Sequence, residues 1–237
     1  MRVKKDRVPT GIPGLDKLIQ GGFIKGSVVL VSGSSGTGKT IFGCQFLLEG
    51  LRRGEAGIFL TLEQDKEEIL KDMSVFGWDR EFRLYEKKGV FRLESEFPSK
   101  IREMQDRIID LIERIRAKRF VLDSLTVAEM GWGEVKDIGK LRREVFEFIR
   151  ALKRTGVTSL LISEIPEGSE KISTFGFEEF LADGVIKMHY VGIGGTEIVN
   201  LQIRKMRRTK YISGFFPVKF GKNGLEVSPE RVRALLR

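Results

Sequence analysis

The chain alternates short runs that are apolar at nearly every position with longer runs in which apolar residues recur every three or four. SVVLVSG (residues 27–33) is β-branched, ends in glycine and predicts a buried strand. Behind it, over residues 39–53, Phe42, Phe46 and Leu47 fall at helical spacing. GIFLTLE (residues 57–63) predicts a second strand, and residues 65–76 a helix capped by Asp65. Over residues 100–118, Ile101, Met104, Ile108, Leu111, Ile112 and Ile115 share one face of a long amphipathic helix. FVLDSLTV (residues 120–127) predicts a third strand. Residues 137–155 predict a helix with Leu141, Val145, Phe148 and Leu152 on its stripe, and VTSLLISEI (residues 157–165) a fourth strand. Strands apolar on both faces, alternating with helices, imply an α/β fold whose mostly parallel sheet is covered on both sides.

After Ala182 the period changes to two. The pattern there predicts a hairpin turning at Gly194-Gly195 and a further β segment in YISGFFPVKFGKNGLEV (residues 211–227), so the sheet ends in an antiparallel extension. No internal repeat, low-complexity tract or linker interrupts the pattern, and 237 residues with 41% hydrophobic content suit one core. A single domain spanning residues 1–237 is expected, with the basic ends MRVKKDR and RVRALLR peripheral.

Composition removes several function classes. One cysteine excludes an intramolecular disulfide, and one His with one Cys cannot build a Ser/His/Asp or Cys/His centre. No charged-then-apolar leader opens the chain and no apolar run is long enough for a bilayer, so a cytoplasmic protein without a membrane role is expected. The net charge of +9 permits an acidic partner such as nucleic acid. The charges mostly alternate in sign along the helices, however, which reads as a paired, solvated surface. Abundant Glu, Lys and Arg beside one His and one Cys also fit a thermophile.

The strongest chemical signal is GSSGTGKT (residues 33–40), a complete Walker A pattern that follows a strand and opens a helix. Backbone N–H groups of Ser34, Ser35, Gly36, Thr37 and Gly38 converge on phosphate oxygens in such a loop, and the helix N-terminus adds partial positive charge. Lys39 is placed to meet the β- and γ-phosphates of ATP, or the β-phosphate of ADP, and the Thr40 hydroxyl to ligate Mg²⁺. Asp123 closes the apolar run FVLD, the Walker B arrangement, and would hold the same Mg²⁺ through water. Glu63, ending FLTLE, is positioned to activate the attacking water. Ser163 reads either as a γ-phosphate-sensing group or as an ordinary strand-end serine. Cys44 reads as core, and His189 lacks the companions of a metal site.

TGIPGLDKLIQGGFIKGSVVLVSGSSGTGKT, FLTLEQ, FGWD, FVLDS, the KMRRTK run and GFFPVKFGKNGLEV together resemble the RecA superfamily, and within it the KaiC-like ATPases. The resemblance covers nearly the whole chain. It implies a RecA-type P-loop core and usually a homohexameric ring with ATP at subunit interfaces. Two departures stand out. KaiC-type domains usually carry paired glutamates where this chain has Glu63-Gln64, which implies slow hydrolysis; and Arg208 replaces the glycine of a common Lys-x-Arg-Gly-Thr motif. On a strand Lys205 and Arg207 share a face, roughly 7 Å apart, with Arg204, Met206 and Arg208 on the other. By resemblance, Lys205 and Arg207 would grip ATP across a subunit boundary as catalytic cations.

Two functions therefore compete, beside a third reading in which Gln64 leaves a nucleotide-binding scaffold that hardly turns over. One is a slow ATPase ring with a regulatory or signalling role. The other is a recombinase-like DNA-binding ATPase whose axial loops would be residues 128–137 and 164–177. Trp132, Phe175 and Phe177 could stack on bases there, but both loops are net acidic, the wrong sign for DNA.

Overall fold

A computed structural model describes residues 6–132, 137–193 and 196–229; the Gly194-Gly195 turn lies outside the described residues. After the two-stranded ribbon of β1 (Arg7–Val8) and β2 (Phe23–Ile24), with α1 (Leu15–Leu18) between them, the elements run β3 (Val28–Gly33), α2 (Lys39–Arg52), β4 (Gly57–Thr61), α3 (Lys66–Ser74), α4 (Asp79–Lys87), β5 (Phe91–Ser95) and α5 (Ile101–Ile115). Next come β6 (Arg119–Asp123), α6 (Leu125–Gly131), α7 (Ile138–Thr155), β7 (Thr158–Glu164), α8 (Glu178–Leu181), β8 (Gly184–Ile193), β9 (Thr196–Met206), β10 (Phe215–Gly221) and β11 (Gly224–Val227).

The main sheet has the order β11-β10-β9-β8-β3-β7-β6-β4-β5. From β8 to β5 neighbouring strands are parallel, while β9, β10 and β11 add on antiparallel. Alternate residues of β3 explain its unbroken apolar run. Val29 and Val31 pack with Phe42, Phe46 and Leu47 of α2 on one face, while Val28 and Leu30 pack with Val145 and Phe148 of α7 on the other. The α/β architecture with an antiparallel extension is therefore as the periodicity predicts.

Several boundaries differ for local reasons. β4 stops at Thr61 because its hydroxyl accepts from the N–H groups of Glu63 (3.3 Å) and Gln64 (3.1 Å), turning the chain. Glu63 thus lies in the turn after the strand, not within it. FVLDSLTV is a strand only to Asp123: the Ser124 hydroxyl accepts from Val127 N–H (3.3 Å) and caps α6, overriding the β propensity of the segment. α4 and the edge strand β5 have no counterpart in the sequence reading. α4 buries only Phe82, and β5 has five residues, so neither shows a long period. Arg7, in a segment expected to be peripheral, donates to Ile19 O, Gly22 O and Thr209 Oγ1.

Candidate nucleotide site

The Walker A loop leaves β3 and enters α2 through two left-handed glycines, Gly36 (φ 75°) and Gly38 (φ 89°). A Cβ on Gly38 would lie 2.5 Å from the Phe220 ring, and one on Gly36 would lie 2.8 Å from the Tyr190 hydroxyl. The loop is therefore a backbone cradle pressed beneath the antiparallel extension, in which only glycine fits. It is closed by Thr37, whose hydroxyl donates to Ser34 O (2.8 Å), and by Lys39, whose Nζ donates to the same oxygen (2.9 Å). Ser34 is buried with them, while Ser35 stays exposed at the tip. Burial lowers the Lys39 ammonium below its usual pKa, and the field of Glu164, Asp123 and Glu63 works against that shift.

Strand ends supply the acids. The Thr40 hydroxyl donates to Asp123 Oδ2 at 2.7 Å, bringing the two expected Mg²⁺ ligands together. Asp123 is buried, and burial pushes its carboxyl up to about 7; the Thr40 bond opposes this, and the negative field of Glu63 adds to it. A carboxyl raised in this way is one that an adjacent cation would ionise. Among the described residues no group of three or more His, Cys, Asp and Glu could hold a metal alone. A hydroxyl beside one carboxylate suits Mg²⁺, which takes few protein oxygens and completes its shell with phosphates and water. Glu63 leans over the same strand ends. Its carboxyl is raised mainly by partial burial, an effect that a bond with Ser124 opposes, that Glu164 reinforces, and that Lys39 also opposes.

Lys39, Thr40, Asp123 and Glu63 thus share one site. Glu164, which sequence reasoning counted only as loop charge, joins them: its Oε1 lies 4.0 Å from Lys39 Nζ. Its sequence signal is an acid closing an apolar strand, the same signal that marks Asp123. Ser163 is fully buried, with its hydroxyl 3.4 Å from that of Thr126. Cys44 is buried in the core, its thiol raised well above the usual range by burial.

Lys205 and Arg207 lie elsewhere. Gly33 pairs with Met188 and Met188 with Leu201, whereas Val29 pairs with Gly184 and Gly184 with Met206. The end of β9 is therefore displaced by four residues of strand from its own Walker A loop, about 13 Å along the sheet axis. Both cations reach one end of α8. Lys205 Nζ donates to the carbonyls of Glu179 (2.9 Å), Phe180 (3.2 Å) and Ala182 (2.7 Å), which uses all three of its protons. Arg207 donates to Phe180 O (3.3 Å), lies 3.9 Å from Asp183, and keeps 51% of its side chain exposed. A register shift between Val185 and Ile186 inserts Arg204 as an extra residue. Arg204 consequently turns toward Gln202 (3.4 Å), while Met206 is buried among Leu201 and Ile203, so those two do not share a face as simple alternation requires. Arg208 adopts φ 56°, keeping with a side chain the left-handed backbone that glycine favours.

The loops expected to line a DNA channel are differently built. Trp132 is buried and packs edge-on to Phe148 (5.3 Å between centroids), and Phe177 is buried against Phe175 (6.2 Å). Residues 133–136 lie outside the described residues. The second loop is tied to the sheet by Lys187, which donates to Ser169 O and Lys171 O (both 2.9 Å). Trp132 and Phe177 are core residues, and Phe175 is partly buried against the same core.

Comparison with known proteins places this geometry in a family. The family model described as "ATPase: KaiC" matches residues 8–232. A UPF0273 protein of Aeropyrum pernix is 35% identical over 244 residues, covering 96% of this chain and 95% of that protein. The circadian clock oscillator protein KaiC of Parasynechococcus marenigrum is 34% identical over 239 residues; the match covers 97% of this chain but 46% of the clock protein, so this chain spans about half its length. A KaiC-like protein from the hyperthermophilic archaeon Pyrococcus horikoshii OT3 has a crystal structure that superposes with a TM-score of 0.86 at 36% identity, over 95% of this chain and 100% of that one. With its complete Walker A cradle and RecA-superfamily fold, the chain belongs to the KaiC-like ATPase family.

Proposed function

We propose that this protein is a Mg²⁺-dependent ATP hydrolase, acting as one domain over residues 1–237 in a cytoplasmic homo-oligomeric ring, a hexamer by resemblance, with ATP at subunit interfaces. The observation that carries the reading is the convergence of Lys39, the Thr40–Asp123 pair and Glu63 around a loop that turns through Gly36 and Gly38. The N–H groups of residues 34–38 hold phosphate oxygens, Lys39 neutralises the β- and γ-phosphates, and Thr40 and Asp123 hold Mg²⁺. Bound Mg²⁺ supplies charge neutralisation at the phosphates. Glu63 accepts a proton from the attacking water, its raised pKa bringing it nearer the working pH of a base.

The interface assignment is supported by the sheet register. Arg207 lies at the opposite end of the strands from its own Walker A loop, where a neighbouring subunit's nucleotide is the natural partner for its exposed guanidinium. Lys205, engaged by three carbonyls, serves beneath it by fixing the end of α8. A single water-activating glutamate beside the neutral Gln64 fits slow turnover, and slow turnover suits a regulatory or signalling role. The similarity to a KaiC-like protein of a hyperthermophilic archaeon fits the composition of a thermophile.

Calorimetry of ATP·Mg²⁺ binding tests the site. The wild-type chain binds and Lys39→Ala loses measurable affinity; equal affinity in the two proteins would remove the phosphate assignment.

A further inference from the structure

Glu164 ends a core strand beside the Walker A loop, and two threonine hydroxyls hold its main chain. It closes β7 directly opposite Gly33, the first residue of the Walker A motif. Its N–H donates to Thr126 Oγ1 (2.9 Å), its carbonyl accepts from Thr174 Oγ1 (2.5 Å), and those hydroxyls bond each other (3.0 Å). The carboxylate itself is 44% exposed, with Lys39 4.0 Å away. The Gln64 side chain, beside Glu63, turns away to Asp72 (3.3 Å), although its main chain is held in a similar way by Thr61 Oγ1 (3.1 Å) and Ser95 Oγ (2.9 Å).

We propose that Glu164 is a second catalytic carboxylate, which aims the attacking water while Glu63 takes its proton, and that Thr126 is a positioning residue acting through Glu164. This rests on the ATP-hydrolase reading. What sets Glu164 apart is its side chain: on the strand end opposite the start of the phosphate loop, its carboxylate stays open to a small nucleophile while lying beside Lys39. Anchorage of the strand end matters for that role, because misplacement by an ångström costs rate steeply. In the step, the water oxygen bonds to the terminal phosphorus as the bond to the bridging oxygen breaks. ADP leaves with that electron pair, one water proton passes to Glu63, and the other stays on the new phosphate after donating to Glu164. Glu164 gains no proton.

The test measures ATP affinity and single-turnover hydrolysis in the full chain for Glu164→Gln, Glu164→Asp, Thr126→Val and the Thr126→Val/Glu164→Gln double variant. The expected result is an about tenfold or greater loss of rate in Glu164→Gln at nearly unchanged affinity, with Glu164→Asp intermediate. Thr126→Val is slowed less, and the double variant is no slower than Glu164→Gln alone, because the threonine works only through the glutamate. A Glu164→Gln rate within about twofold of wild type, a loss confined to affinity, or multiplicative effects in the double variant would overturn the proposal. Those results leave the ATPase reading standing; failure of the wild type to bind ATP would sink both.

Discussion

Glu63 reaches the site by leaving the sheet: the Thr61 hydroxyl turns the chain, and the freed carboxyl comes under the field of Lys39 and Glu164. Replacing it with Gln removes the proton acceptor and leaves the cradle intact. Glu63→Gln should therefore bind ATP as the wild type does and hydrolyse it about 10²-fold more slowly, measured as phosphate release; a rate within about twofold of wild type would assign the base elsewhere. A second residue carries a stability prediction. Glu129 in α6 is fully buried, neither carboxyl oxygen has a hydrogen-bond partner among the described residues, and burial, reinforced by Glu178, pushes it up to about 10. The folded chain thus holds a proton that the unfolded chain releases near 4.5, and stability falls as pH rises between those values. Glu129→Gln removes that cost, so its melting midpoint should exceed that of the wild type by an amount that grows from pH 5 to pH 8, equivalent to at most about 3 kcal/mol at pH 7. A pH-independent difference would contradict this. At this scale Lys39, Thr40 and Asp123 were legible because a local motif carries them. Glu164 was not, since its holders Thr126 and Thr174 and its neighbour Lys39 are brought together only by the fold.

Among the elements, those with long periods and local caps were legible, and short ones were not. Asp65 caps α3 as expected, accepting from Glu68 N–H (2.9 Å) while the Glu68 side chain accepts from Asp65 N–H (3.0 Å). Asp65→Ala should cost about 1 kcal/mol in denaturant unfolding, without changing ATP affinity. α6 was misread because Thr126 and Val127 carry β propensity, and only the Ser124 cap reveals a helix. The Walker A turn tolerates little change. Gly38→Ala places a Cβ against the Phe220 ring at φ 89°, so ATP binding should be lost in calorimetry while the chain stays folded by circular dichroism. Retained affinity would mean that the loop has another route to the same cradle.

At the scale of the whole molecule, charge and register decide between partners. Part of the surface charge is paired, as in Arg52–Glu81 and Arg83–Glu67, and Trp132 and Phe177 of the would-be axial loops are core residues. Only weak, salt-sensitive and sequence-independent DNA binding is expected; submicromolar affinity for single-stranded DNA at physiological salt, strengthened by ATP, would favour the recombinase-like reading instead. The central claim is that Arg207 completes a neighbour's site, and complementation tests it most directly. Arg207→Ala subunits keep Lys39 and Glu63, and Glu63→Gln subunits keep Arg207, so in a mixed ring some interfaces regain every component. With co-assembly confirmed by mass, ATP turnover of the mixture should exceed the weighted average of the two variants, each of which is nearly inactive alone. Turnover no higher than that average would contradict the interface site and confine Arg207 to its own subunit's surface.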